Sequence, residues 1–182
     1  MDTQKGVRAM ATNRGKSFEC IVKECFEKSY VSVDRLHDQT TGYAGSTNIC
    51  DLIVYRKPNQ IYIECKSVHG NLLSIFSNPQ PDKNGKLHGC YGNITDKQWD
   101  GLLEKADYEG VIAGVMCWWI DHDVTLFIPI KYLKAYRDAG NKSISYKAMK
   151  YFANQRCYVV PGVKKKVFFN YDMDAFLDEV QR

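Results

Sequence analysis

Two short apolar stretches, Leu52-Ile-Val-Tyr55 and Ile61-Tyr-Ile63, are separated by Arg56-Lys-Pro-Asn-Gln60 and bounded by charge: Asp51 opens the first, and Glu64-Cys-Lys66 closes the second. Proline and asparagine favour a turn, and short runs rich in β-branched and aromatic residues read as strands. The stretch therefore predicts an antiparallel hairpin turning at 57–60. In that register Asp51 lies beside Glu64, although twelve residues separate them along the chain. Pleating sends Glu64 and Lys66 to one face of their strand and Cys65 to the other, with Ile61 and Ile63. The expectation is a polar cluster of Asp51, Glu64 and Lys66 over an otherwise apolar sheet.

Two carboxylates side by side repel each other and are tolerated when a divalent cation sits between them. Magnesium takes one or two carboxylates and completes its shell with waters and phosphate oxygens. A lysine beside such a site can orient or deprotonate a water, or offset charge on a phosphate. These are the parts of a metal-assisted phosphodiester hydrolysis.

The rest of the chain supplies elements around this hairpin. A helix is predicted over 15–28, with Phe18, Val22, Cys25 and Phe26 at helical spacing as its buried stripe and Glu19 at the edge of that face. Residues 30–36 alternate like a strand. Residues 37–48 read as a polar loop, and 67–94, with Pro79, Pro81 and Gly85, as a long surface loop. Thr95 and Gln98 have the spacing of a capping box, opening a helix that runs to about Tyr108 and ends at Gly110. Strands are expected over 111–119 and 124–130, short helices over 131–139 and 145–154, late strands over 157–160 and 167–171, and a closing helix over 172–180. Trp118 and Trp119 point to opposite faces, placing at least one in the core. This order predicts an α/β fold with a central mixed β-sheet flanked by helices. The 182 residues, 45% hydrophobic, suit one domain with a sizeable core. Residues 1–12 are expected to be flexible.

No apolar run approaches the ~20 residues that span a bilayer, and the first residues have no apolar core of a secretion signal. The seven cysteines include no C-x-x-C pair. They read as reduced, buried thiols rather than a zinc site, which fits a cytoplasmic protein. A net charge of +4 permits a polyanionic partner without requiring one.

A D-(x)n-E-x-K hairpin after a glutamate-bearing helix resembles the PD-(D/E)xK nuclease superfamily, with Cys50-Asp51 in place of the Pro-Asp that names it. The closer resemblance is to the RecU-type Holliday junction resolvases of Gram-positive bacteria and their phages. It is carried by N-R-G-K-S-F-E at 13–19, D-L-I-V-Y at 51–55, I-Y-I-E-C-K at 61–66 and I-T-D-K-Q at 94–98, and spans roughly residues 13–135. The resemblance implies a restriction-endonuclease-like core and a Mg2+-dependent endodeoxyribonuclease, with Mn2+ as an alternative ion. It also implies a homodimer that nicks symmetric strands of four-way DNA junctions in recombination and repair, in the cytoplasm of a bacterium or a phage-infected host. Carried over by position, Asp51, Glu64 and the main-chain carbonyl of Cys65 would be metal ligands. Lys66 would act on the attacking water or the scissile phosphate. Glu19 would complete the acidic cluster directly or through water, and Gln98 would help position the lysine or the phosphate. Three features depart from the family. The interval from Tyr30 to Cys50 leaves room only for a short stalk, the 67–94 segment is longer than expected, and residues 136–182 form a C-terminal elaboration without a counterpart.

Arg14, Lys16 and Arg35 are candidate phosphate contacts near this site, since a helix N-terminus also favours anions; the other reading is ordinary surface charge. Lys164, Lys165 and Lys166 are candidate DNA-backbone contacts or a solvated turn. His69, His88 and His122 fall in different loops and are expected to be incidental, and Asp121-His-Asp123 reads as a turn. Two rival functions stand beside a resolvase: a restriction-like or repair endonuclease on duplex or branched DNA, and a non-catalytic DNA-binding module that kept the fold. A protein-interaction domain using exposed aromatics is a weaker third.

Overall fold

The computed structural model describes residues 18–36, 48–75, 80–81, 87–88, 93–152, 157–166 and 168–182. Helix α1 covers 18–28. It is followed by β1 (Ser32–Arg35), β2 (Leu52–Arg56), β3 (Asn59–Val68), β4 (Leu72–Ser74), β5 (Gln80–Pro81), β6 (Leu87–His88) and α2 (Asp96–Ala106). Then come β7 (Val111–Trp119), a 3-10 turn (Ile120–His122), β8 (Val124–Pro129), α3 (Ile130–Asp138), β9 (Ser143–Ser145) and α4 (Tyr146–Phe152). The chain closes with β10 (Tyr158–Val159), β11 (Gly162–Lys164), β12 (Phe169–Tyr171) and α5 (Met173–Val180).

Six strands form one sheet in the order β1-β2-β3-β7-β8-β10. The β3–β7 pair is parallel and its neighbours are antiparallel, so the sheet is mixed. This is the α/β architecture expected from the order of elements. The β2–β3 hairpin has the register inferred above, with Leu52 opposite Ile63 and Val54 opposite Ile61. Helix α2 ends two residues earlier than the sequence pattern suggested, at Ala106, and Gly110, at φ 74°, turns the chain from it into β7.

Two cores lie on the two faces of the sheet. On one, Ile61, Ile63, Cys65, Leu52, Val54 and Trp118 pack against Phe18, Val22 and Phe26 of α1 and Phe176 and Leu177 of α5. On the other, Val115, Cys117 and Trp119 pack against Trp99 and Leu102 of α2, Leu133 of α3 and Met149 of α4. The two tryptophans thus face opposite layers, and both are buried. Cysteines 25, 50, 65, 117 and 157 are buried free thiols and Cys20 is half-buried; Cys90 lies outside the described residues.

Of the segment read as a long loop, 67–94, the described residues include regular structure, while 76–79, 82–86 and 89–92 lie outside the described residues. β3 extends to Val68, β4 pairs with β9, and Leu73, Ile75 and Ile94 enter the second core. A three-residue strand is too short to show a period, and its partner lies far along the chain. β11 likewise falls where a plain turn was expected, at Gly162–Lys164, paired with β12. Among the described residues no helix is long and apolar enough to cross a membrane.

Candidate active site

Asp51 sits where β2 begins. Its main chain is held from both sides: its N–H donates to the Ile63 carbonyl (3.1 Å), and its carbonyl accepts from the Leu36 N–H (2.8 Å). Its side chain turns across the hairpin, where Oδ2 accepts the Cys65 N–H at 2.7 Å. Asp51 and Glu64 therefore occupy neighbouring positions on adjacent strands, as hairpin pairing requires.

Glu64 is 1% exposed. Its Oε1 accepts from two donors, Lys66 Nζ at 2.6 Å and Gln98 Nε2 at 2.6 Å. Its Oε2 is buried and has no hydrogen-bond partner among the described residues. Burial pushes the Glu64 carboxyl up to about 8; the Lys66 ammonium opposes the shift, and the Asp51 and Glu19 charges add to it. Burial works to lower the Lys66 pKa, but the Glu64 and Asp51 carboxylates more than offset this, and the ammonium is held charged. An orphan oxygen on a buried carboxyl is costly, of order 1–3 kcal/mol, so a group that would satisfy it is favoured there.

Gln98 reaches Glu64 because α2 begins in a defined way. Thr95 Oγ1 accepts the Gln98 N–H (3.2 Å), and Gln98 Oε1 accepts the Thr95 N–H (3.0 Å), the capping box read from the sequence. With Oε1 committed to the cap, Nε2 is turned toward Glu64. The helix itself is set against the segment before Asp51: a Cβ on Gly101 would lie 2.4 Å from Ile49 Cγ2. This close approach ties α2, and with it Gln98, to the start of β2, and no spacing in the sequence signals it.

Glu19 stands on α1, at the edge of its buried face. Its Oε2 accepts from Arg35 Nη2 of β1 at 2.7 Å. That hydrogen bond raises the Arg35 pKa, burial works against it, and the Asp51 charge adds to it. Arg35 is therefore committed to the acidic cluster rather than standing as a lone surface charge, and its Nε is buried without a partner among the described residues. Neither the pairing nor its consequence is visible in the sequence, where the two residues are sixteen apart. Cys65 turns its thiol into the first core, as expected, and burial pushes its pKa well up. Cys50, beside Asp51, is a buried thiol pushed up to about 12.

The other candidates sit elsewhere. Lys164, Lys165 and Lys166 are exposed on the β11–β12 hairpin, with Lys164 ion-paired to Asp123. Arg14 and Lys16 lie outside the described residues. His69 and His122, expected to be unconnected, meet at one corner. His69 Nδ1 is 2.9 Å from Asp121 Oδ1, while His122 Nε2 is 2.6 Å from Asn71 Oδ1 and its ring stacks on Tyr146. They tie the β3–β4 turn to the β7–β8 turn.

The site offers two carboxylates and a main-chain carbonyl, an oxygen-only set that suits a hard cation such as Mg2+. The buried, unpartnered Glu64 Oε2 fits that group. Among the described residues no three His, Cys, Asp or Glu side chains gather as a preformed metal cluster.

No family model matches the chain, and no curated protein does. Several solved structures are similar to this chain, and one of them is a distant match. It is Hjc, a Holliday junction resolvase from the archaeal hyperthermophile Archaeoglobus fulgidus, at 17% identity and a TM-score of 0.43, over 64% of this chain and 78% of that one.

Proposed function

We propose that this protein is a divalent-metal-dependent DNA endonuclease of the restriction-endonuclease-like kind, acting as a homodimer on four-way DNA junctions. The observation that supports it most is Glu64. It is a buried carboxyl with one oxygen gripped by Lys66 and Gln98 and the other left without a partner, beside Asp51. A structural ion pair gains nothing from an orphan oxygen, whereas a cation-binding carboxylate requires one.

Asp51, Glu64 and the Cys65 carbonyl would hold the ion. When bound, Mg2+ (or Mn2+) would supply a Lewis acid at the phosphodiester and a water of lowered pKa. Lys66 holds a positive charge where it can orient the attacking water or offset charge on the phosphate. Gln98 fixes the Glu64 rotamer and Arg35 fixes Glu19, so the acidic residues are set before DNA arrives, which is how a site lowers its reorganisation cost. The junction as substrate rests on the resemblance of the 13–19, 51–55, 61–66 and 94–98 motifs to RecU-type resolvases. A dimer follows from that substrate, since two symmetric nicks need two sites.

The test is cleavage of an end-labelled four-way junction in Mg2+, with a linear duplex of the same sequence beside it. Paired nicks on opposing strands of the junction are expected, and Asp51→Asn should abolish them while leaving junction binding intact or stronger. Preference for the duplex would replace the resolvase reading with the restriction-like one. Cutting by Asp51→Asn at the wild-type rate would refute the site.

A further inference from the structure

The C-terminal hairpin, β11–β12, has no role in the site described above, yet it is held to the core at several points. Its turn is closed by the Lys165 N–H donating to the Phe168 carbonyl at 2.7 Å. Its base is anchored by Tyr171, whose hydroxyl is 2.7 Å from Thr125 Oγ1 in the core. Its flank is fixed by Phe168 and Phe169, with ring centroids 5.7 and 6.4 Å from that of Trp118. Lys164 is tied by an ion pair to Asp123. A lysine run on a free turn is usually a solvated surface; here the residues flanking Lys165 and Lys166 are held to the core by Tyr171, by Phe168 and Phe169, and by the Lys164–Asp123 pair.

The arm points toward the catalytic end of the sheet. β10 runs antiparallel to β8, with Tyr158 opposite Phe127 and Val159 opposite Leu126, and the Val160 N–H donates to the Thr125 carbonyl. The chain therefore travels toward the start of β8, and the Lys164–Asp123 pair places β11 level with the β7–β8 turn. The parallel strands β3 and β7 finish at that same end, Val68 beside Trp119. Lys66 lies two residues back from Val68, roughly 7 Å along the strand. On the α1 side, Phe18 packs on both Trp118 and Tyr171, so the arm stands next to the turn of α1 that carries Glu19.

We propose that the β11–β12 hairpin is a fixed DNA-backbone clamp, in which Lys165 and Lys166 grip phosphates flanking the cleaved bond while Lys164 serves as a tether to Asp123. Lys165 and Lys166 are exposed, and neither has an ion-pair partner among the described residues. The two acids of the β7–β8 turn are occupied: Asp123 by Lys164, and Asp121 by the Gly70 N–H and His69. A phosphate backbone fits such a pair of uncommitted ammonium groups, because each phosphate neutralised also releases condensed counterions. A clamp on the α1 side of the sheet, beside Glu19, with Glu64 reaching Gln98 on the α2 side, holds the DNA across the sheet's end rather than along either face. This inference rests on the reading of the protein as a DNA endonuclease.

The experiment is fluorescence anisotropy of a labelled four-way junction in EDTA, which prevents cutting, titrated at several salt concentrations between about 50 and 200 mM. The Lys165→Ala/Lys166→Ala double variant should bind more weakly, with a slope of log affinity against log salt shallower than wild type by about 2, one unit for each lost phosphate contact. Lys165→Arg/Lys166→Arg should restore the slope. An unchanged slope in the alanine variant overturns the clamp even if the wild type cuts junctions normally. A shallower slope with no wild-type cutting in Mg2+ supports the backbone grip of Lys165 and Lys166 and overturns its placement at a cleaved bond together with the endonuclease reading. Absence of any wild-type binding at the lowest salt overturns both.

Discussion

Glu64, on which the proposed chemistry rests, also has a measurable consequence for stability. Its folded pKa, about 8, lies above the ordinary glutamate value of 4.5 because burial penalises the carboxylate. Between those values the folded protein keeps a proton that the unfolded chain has released. Stability from this group is therefore fully present below about pH 4.5 and is lost as pH rises through 8. In EDTA, urea-unfolding midpoints of the wild type are expected to fall from pH 6 to pH 8.5, and Glu64→Gln should flatten that decline, since an amide cannot titrate. A variant with the wild-type slope would mean that another group is responsible. Added Mg2+ should reverse the trend in the wild type only, because a bound cation favours the ionised form. The pair Asp51 and Glu64 was legible in the sequence because a hairpin converts a spacing into a contact. Arg35 was not: its partner Glu19 lies on a different layer, and sequence spacing carries no information about which helix crosses which strand edge.

At the scale of elements, long periodic segments could be read and short ones could not. β7 matches its expected bounds residue for residue, because nine apolar residues beginning after a glycine turn leave few alternatives. The capping box placed the start of α2 and, through it, Gln98. β4 and β9 were missed because three residues show no period and their pairing joins distant parts of the chain. The seat of α2 was also invisible, since it depends on a missing side chain. Alanine at 101 would raise helix propensity by about 1 kcal/mol, yet its Cβ would meet Ile49 at 2.4 Å and that residue's own Cβ at 2.7 Å. Overpacking of this kind costs roughly 1–3 kcal/mol, so the clash wins. Gly101→Ala is expected to lower the urea midpoint and to slow junction cutting by drawing Gln98 away from Glu64. Thr95→Ala, which removes only a cap hydrogen bond, should cost about 1 kcal/mol. A stabilised Gly101→Ala would show that Ile49 yields and that the helix is not held there.

Across the whole molecule, the sequence separated a nuclease-like portion from an elaboration beginning near residue 136, because the motifs stop there. Packing draws no such line. The first core is closed from one side by α1 and from the other by Val160, Tyr171, Met173, Phe176, Leu177 and Val180, and β10 is the sixth strand of the central sheet. The closing helix also reaches back to the β2–β3 hairpin: Arg56 pairs with Asp178, and Gln181 Nε2 donates to the Arg56 carbonyl at 2.9 Å and to Asn59 Oδ1 at 3.1 Å. The turn that sets Asp51 opposite Glu64 is thus braced by the last residues of the chain. Truncation after residue 156 would expose the inner faces of Leu52, Val54, Ile61 and Ile63 to water. At about 1.5–3 kcal/mol for each buried aliphatic or aromatic side chain, the six apolar residues lost from the closing segment are worth about as much as the whole ~5–15 kcal/mol by which a domain is typically stable. The truncated chain is expected to show no cooperative thermal transition by circular dichroism and no junction cutting. A folded, active fragment ending at 156 would make the C-terminal third an appendage after all. Point substitutions in the β11–β12 turn distinguish the two roles of this third, since they leave the core intact and alter only the grip on DNA.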